Sequence, residues 1–260
     1  MFFRILRSEV TKLCSGRLWW TTVCLLLVVQ PLLSLLAARG ALSIGLDATP
    51  ETHPELIEAF PPLQYFGFEE LGFGILFVGI FGGITGAADF KHHNLRTGLL
   101  GQSSRLRYFW GQTAAFLCAI TGLSLVSVPV AIVLTHLGLG DQGLSPVMFG
   151  KTTWQFIGYT VVEWILLGLL AFALGRLFRT AFIPLAFLIP QVYNFGLYLE
   201  ERWSWAANLP VAAGCKLTAT PETGITHDPV YGGVVLMIWI SVTLAIGWYL
   251  FSRKDVGGGY

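Results

Sequence analysis

The chain has 260 residues, 54% of them hydrophobic and 12% charged, with a mean hydropathy of +0.67. Soluble domains carry about 25% charged residues, so an ordinary water-exposed globule is excluded and an integral membrane protein is indicated. The formal net charge of +1 says little by itself; the placement of the charges says more.

Residues 2–13 read as an amphipathic helix. At about 100° per residue, Phe2, Phe3, Leu6, Val10 and Leu13 share one face, with Arg4, Arg7 and Lys12 off it. An apolar face flanked by basic groups suits a helix lying in the headgroup layer, so 1–17 is expected to be interfacial. Glu9 and Lys12 stand at i,i+3, the spacing of a side-chain pair. The first apolar run follows a long basic segment and lacks a small-residue cleavage motif, so it is expected to stay as a membrane helix.

The apolar runs predict an all-α membrane protein of six spans, at 18–38, 71–88, 112–134, 154–174, 181–199 and 234–251. Trp19 and Trp20 stand at the start of span one, and Gln30-Pro31 predicts a kink inside it. Loop 39–70 is rich in proline and acids. In span two Gly79/Gly83 and Gly82/Gly86 have the spacing of close helix contact. Span three contains Pro129. Span four has Glu163 near its middle. Span five is broken by Pro184 and Pro190 and carries Gln191 and Asn194. In loop 200–229 the run WSWAANLPVAAG is apolar enough to dip into the membrane surface.

Orientation follows from the basic residues. With both termini inside, twelve of the 16 Lys and Arg are cytoplasmic: Arg4, Arg7, Lys12, Arg17, Lys91, Arg96, Arg105, Arg107, Arg176, Arg179, Arg253 and Lys254. Only Arg39, Lys151, Arg202 and Lys216 lie outside. Orientation therefore accounts for the basic inner loops, and nucleic-acid binding is not favoured. Most tryptophans fall near span ends, as an anchoring belt does. The four cysteines, Cys14, Cys24, Cys118 and Cys215, make no CxxC pair, so no zinc site or disulfide framework is suggested.

Three constellations bear on chemistry. Gly150-Lys151-Thr152 supplies the end of a phosphate-binding loop, but Ser145 stands where the first glycine is required. Any ATPase that drives this chain is then a separate polypeptide. Glu69 and Glu70, with His136 near the same side of the membrane, are the candidates for an intramembrane metalloprotease, a rival of a different class. Glu163 is the clear acid inside a span, where a charge costs ~2.5–3.5 kcal/mol or more. It reads equally as a point on a cargo path, with Gln191 and Asn194, or as a helix-packing hydrogen bond.

Between spans two and three lies a short polar connector within GGITGAADFKHHNLRTGLLGQSSRLRYFWGQ. It resembles the connector of bacterial ABC exporter permeases of the ABC-2 type, with a pattern like E-[FY]-[RK]-H-G-T-[IL]-R-T-T-L followed by Arg and Lys. Asp89, Phe90, Lys91, His92, Leu95, Arg96, Thr97, Leu99 and Arg105 match; His93, Asn94, Gly98 and Gln112 depart from it. Ser8, Glu9 and Lys12 resemble that family's entrance to span one, and Phe251, Arg253 and Asp255 its closing tail.

The resemblance implies a multi-pass permease in the cytoplasmic (inner) membrane, catalytically silent and binding no cofactor itself. It would pair with a second copy, as a homodimer, and dock on ABC ATPase subunits that hold ATP and Mg. The connector would form a coupling helix, with Glu9 and Lys12 beside it. The cargo would be amphiphilic: a drug, antimicrobial peptide or lipid-like compound. A polysaccharide or teichoic-acid exporter permease is the nearest alternative within transport.

Overall fold

A computed structural model describes residues 2–54, 56, 58–90, 104–220 and 225–253. Every regular element among them is helical. Among the described residues five helices are long and apolar enough to cross a membrane, as in a multi-pass membrane protein.

Helix α1, Phe2–Ser15, precedes the bundle. It docks through a different face from the apolar one that the sequence marks out. Ile5 is buried against Gly111, Glu9 bonds Gln112 and Lys12 bonds Asp89, whereas Leu6 and Val10 are only half-buried. The docked edge lies roughly 100° around the helix from the apolar stripe. The bundle takes this flank, and of the apolar stripe Leu13 also packs against the core.

Helix α2 runs Arg17–Ile44, beyond the expected 18–38. The distortion expected at Gln30-Pro31 takes the form of a π turn at Leu25–Val29. Pro31 has no N–H and its ring crowds the carbonyl of Leu27, and a widened turn relieves both. The Leu26 carbonyl accepts a hydrogen bond from the Ser127 hydroxyl, and the buried Gln30 amide donates to the Glu70 carbonyl at 2.9 Å.

Helix α3, Gly72–Ala88, is the second expected span. It lies against α5, Lys151–Phe178, at close range. A Cβ at Gly74 would fall 1.9 Å from the Trp164 ring, at Gly82 2.4 Å from the Gly168 carbonyl, and at Gly86 2.1 Å from that of Phe172. Gly82/Gly86 thus act as the spacing predicts. Gly83 does so through its backbone, since a Cβ at Gly175 on α5 would fall 2.5 Å from its carbonyl, whereas Gly79 meets nothing within 4 Å.

Helix α4, Arg105–Gly138, is 34 residues long and begins seven residues before the expected span at 112. Its buried face forms the core with α3 and α5 through Phe116, stacked on Phe172 at 4.6 Å, and Ile120.

The fifth expected span, 181–199, is helical but not uniform. Helix α6, residues 182–202, consists of Phe182–Pro190, a π turn at Gln191–Phe195, and Gly196–Arg202. Its described apolar stretch is Phe182–Tyr193. The apolar loop that follows leaves Trp203 and Trp205 exposed and packs its second half against the bundle. It forms a 3-10 turn at Ser204–Asn208 and helix α7, Pro210–Thr218, with Pro210 at the first helical position, where its missing N–H costs nothing. Val211, Ala212, Ala213 and Leu217 are buried. Helix α8, Pro229–Arg253, closes the chain against α5 and α7, with Gly232 close under the Ala213 carbonyl.

Candidate functional site: the charged cluster at the connector end

Two ends of the bundle can be told apart. The connector end holds α1, the last turns of α3, α5 and α8 and the first turns of α4. The loop end holds the two long loops and α7.

At the connector end α3 stops at Asp89, which serves as its C-terminal cap residue. Lys12 Nζ lies 3.2 Å from Asp89 Oδ1 and 3.8 Å from Glu9 Oε2. Gln112 on α4 donates its amide to Glu9 Oε2 at 3.3 Å. Glu9, Lys12 and Asp89, selected on separate segments of the sequence, therefore meet at one point. Phe90, the next connector residue, lies under the Arg179 guanidinium at 5.1 Å. Arg179 itself ends α5 in the left-handed region at φ 58°, where glycine is the usual residue. Arg105, where α4 begins, donates to the Ser252 carbonyl at 3.1 Å, tying the far side of the connector to the end of α8.

Arg176 is the residue that sequence reasoning passed over. It was read as an orientation marker, yet it is 6% exposed and turned into the bundle. One guanidinium nitrogen donates to the Phe109 carbonyl at 3.0 Å and to the Thr113 hydroxyl at 3.3 Å. Its carbon sits 4.0 Å from the centre of the Phe109 ring, and the Phe172 and Phe251 rings lie at 5.5 and 5.8 Å. The signal available in the sequence was Phe172, four residues earlier on the same helix face. Gln112, seen only as a departure from a family pattern, is the second such residue.

The cluster thus balances Glu9 and Asp89 against Lys12 and Arg176 around a cavity of about 160 Å³ that also reaches Trp19 and Phe81. Its groups come from α1, α3, α4 and α5. Lys12 and Glu9 tie α1 to α3 and α4, and Arg176 separately ties α5 to a carbonyl and a hydroxyl inside α4.

Lys91, His92, Leu95, Arg96, Thr97 and Leu99 lie outside the described residues, as does the side chain of Asn194.

At the loop end, Glu163 is 3% exposed and its Oε2 accepts a hydrogen bond from Thr218 on α7 at 3.2 Å. Gln191 donates to the Phe187 carbonyl at 2.7 Å and accepts from the Val211 N–H at 3.3 Å, joining the π turn of α6 to the start of α7. The cavity beside Glu163 is lined by Val192, not Gln191. Burial, and next the Glu163 charge, push the Cys215 thiol on α7 up to about 12.

Glu69, Glu70 and His136 are not drawn into a metal centre: among the described residues no group of three His, Cys, Asp or Glu could hold an ion. His136, in the last turn of α4, accepts at Nδ1 from the Leu144 N–H at 3.2 Å and packs its ring on Phe149, which ties the end of α4 to the loop that follows.

No family model and no curated protein matches this chain.

Proposed function

We propose that the chain is the transmembrane permease subunit of an ATP-driven bacterial exporter of the ABC-2 type, moving an amphiphilic cargo across the cytoplasmic membrane. The observation that carries the reading is the meeting of three sequence segments at one end of the bundle. The entrance motif reaches the connector through Lys12 and Asp89 at 3.2 Å, with Glu9 held by Gln112. The closing tail reaches the exit of the connector through Arg105 and Ser252, and Phe251 stacks with Tyr108 at 6.4 Å. A polar element anchored on both sides to packed helices is what a docked ATPase would need in order to pull on the bundle.

In this reading the ATPase subunits bind ATP and Mg, a second copy completes the permease as a homodimer, and the connector seats in the ATPase. Residues from Asp89 to Leu99, above all Arg96, form the seat, and Glu163 lies on the cargo path.

The test is affinity purification of the tagged protein in mild detergent with mass spectrometry of its companions. A stoichiometric ATPase, lost in Arg96→Glu while the permease still inserts, is expected. Purification without any ATPase, even after cross-linking in membranes, retires the proposal.

A further inference from the structure

A cavity of about 390 Å³ opens at the loop end and reaches Glu163. Its volume falls in the range of small-molecule pockets, roughly 300–1,000 Å³. Three carboxylates line it, Glu58, Glu69 and Glu163, with the hydroxyls of Thr160 and Thr218. No Lys, Arg or His is among its described lining residues, and most of the remaining wall is aliphatic.

Two independent observations single out Glu163 within that wall. Its Oε2 accepts from Thr218, but its Oε1 is buried with no hydrogen-bond partner. A buried charged group left half-satisfied calls for a partner that arrives from elsewhere. The second observation is Gly214, across from that oxygen on α7: a Cβ there would come within 2.9 Å of Oε1. The helix packed over the carboxylate thus carries no side chain that would crowd it. Glu58 and Glu69, both exposed, set the same sign of charge nearer the surface.

We propose that this cavity is a binding site for an organic monocation, its positive centre paired with Glu163 and its apolar body against the aliphatic wall and Phe68. The sign of the ligand follows from Glu163, whose second oxygen lacks a hydrogen-bond partner, in a cavity with no Lys, Arg or His among its described lining residues. An organic rather than a metal cation follows from the wall, which is largely aliphatic, and from the lack of a three-ligand metal group among the described residues. A charge buried in such surroundings attracts its partner strongly, and Phe68 offers a ring face to the same cation. That the bound cation is also the exported cargo rests on the permease reading; the binding itself does not.

The experiment is equilibrium binding of ethidium, followed by fluorescence polarisation, to the purified full chain in a non-ionic detergent without nucleotide. Saturable binding is expected in the wild type. Glu163→Gln should raise Kd about tenfold or more. Glu163→Asp, which keeps the charge, should bind more tightly than Glu163→Gln, and Glu51→Gln, away from the cavity, should bind as the wild type. Cys215→Phe, which fills the cavity from α7, should abolish binding and serves as the readout if Glu163→Gln aggregates. Absence of saturable binding in the wild type, or equal Kd in the wild type and in these cavity variants, overturns the site. The two proposals fail separately: a co-purifying ATPase with no ethidium binding removes only the cation site. Charge-dependent binding with no ATPase removes only the permease reading.

Discussion

At the scale of single residues, Arg176 shows how one side chain can join three elements, α4, α5 and α8. It stands in the last turn of α5, where the helix dipole favours a cation. It donates to the Phe109 carbonyl, and the Thr113 hydroxyl that also accepts from it donates to that same carbonyl at 2.9 Å. Hydrogen bonds to charged groups contribute ~1.5–3 kcal/mol, and a desolvated cation–π contact about 2. Arg176→Met should therefore lower stability by about 2–4 kcal/mol, read as a drop in melting temperature by tryptophan fluorescence in detergent. Arg176→Lys should recover less than half of that, because an ammonium cannot stack flat on Phe109 while donating along the ring plane. Unchanged melting in both variants would show that the guanidinium is not a structural tie. Cys215 offers a chemical check on the packing of α7. Alkylation needs the thiolate, and a thiol raised to about 12 stays protonated at neutral pH. With the other three cysteines replaced by serine, maleimide labelling at pH 7.5 should be at least about a hundredfold slower than that of a free thiol. The rate should keep climbing through pH 10; labelling at the free-thiol rate would mean that α7 does not sit as described.

At the scale of elements, the helix pair α3–α5 and the docking of α1 behave differently. Gly86 lies so close to the Phe172 carbonyl that Gly86→Ala must part the two helices, at a cost of about 1–3 kcal/mol. Gly79 faces open space, so Gly79→Ala should be neutral or stabilising by up to about 1 kcal/mol. Equal melting temperatures for the two variants would contradict this close approach. For α1 the expectation is reversed in kind. Lys12 is 54% exposed, so its pair with Asp89 contributes no more than about 1 kcal/mol. Lys12→Glu should leave the melting temperature almost unchanged, and under the permease proposal it should impair ATP hydrolysis by the proposed ATPase, with Lys12→Glu/Asp89→Lys restoring it. A Lys12→Glu variant with wild-type hydrolysis would reduce the pair to a surface contact. The face that α1 docks with could not be read from hydropathy, because hydropathy marks the stripe that seeks lipid. Ile5 and Glu9 sit on the other flank, chosen by Gly111 and Gln112 on a helix more than a hundred residues away.

At the scale of the whole molecule, the membrane made the spans legible. Apolar runs must match the thickness of the hydrocarbon, and 71–88 is found almost unchanged as Gly72–Ala88. Helix ends were less legible, since backbone hydrogen bonding continues through polar residues. Arg105–Gly111 extend α4 past Arg105 and Arg107, the charges that interrupt its apolar run. The pairing of Glu9 with Lys12 could be anticipated from their i,i+3 spacing, whereas the place of Asp89 beside them was implied only by the family resemblance. The inward turn of Arg176 and the descent of α7 beside Glu163 depend on neighbours that no local pattern specifies. The distribution of basic residues predicts that Ser8→Cys and Ser252→Cys are shielded from an impermeant maleimide in intact cells, while Thr49→Cys is labelled. Labelling of all three alike would overturn the orientation. Finally, α4 has a mechanical meaning through its length. Its 34 residues reach about 51 Å, well beyond a ~30 Å hydrocarbon core. Arg105 therefore rides on a lever arm: a 10° tilt about the midpoint of α4 swings that end by about 4 Å, nearly a helical turn. Since Gln112 grips α1 and Arg105 grips the end of α8, the stroke is delivered to three helices together, and a small rotation within the bilayer is amplified at the water-facing end.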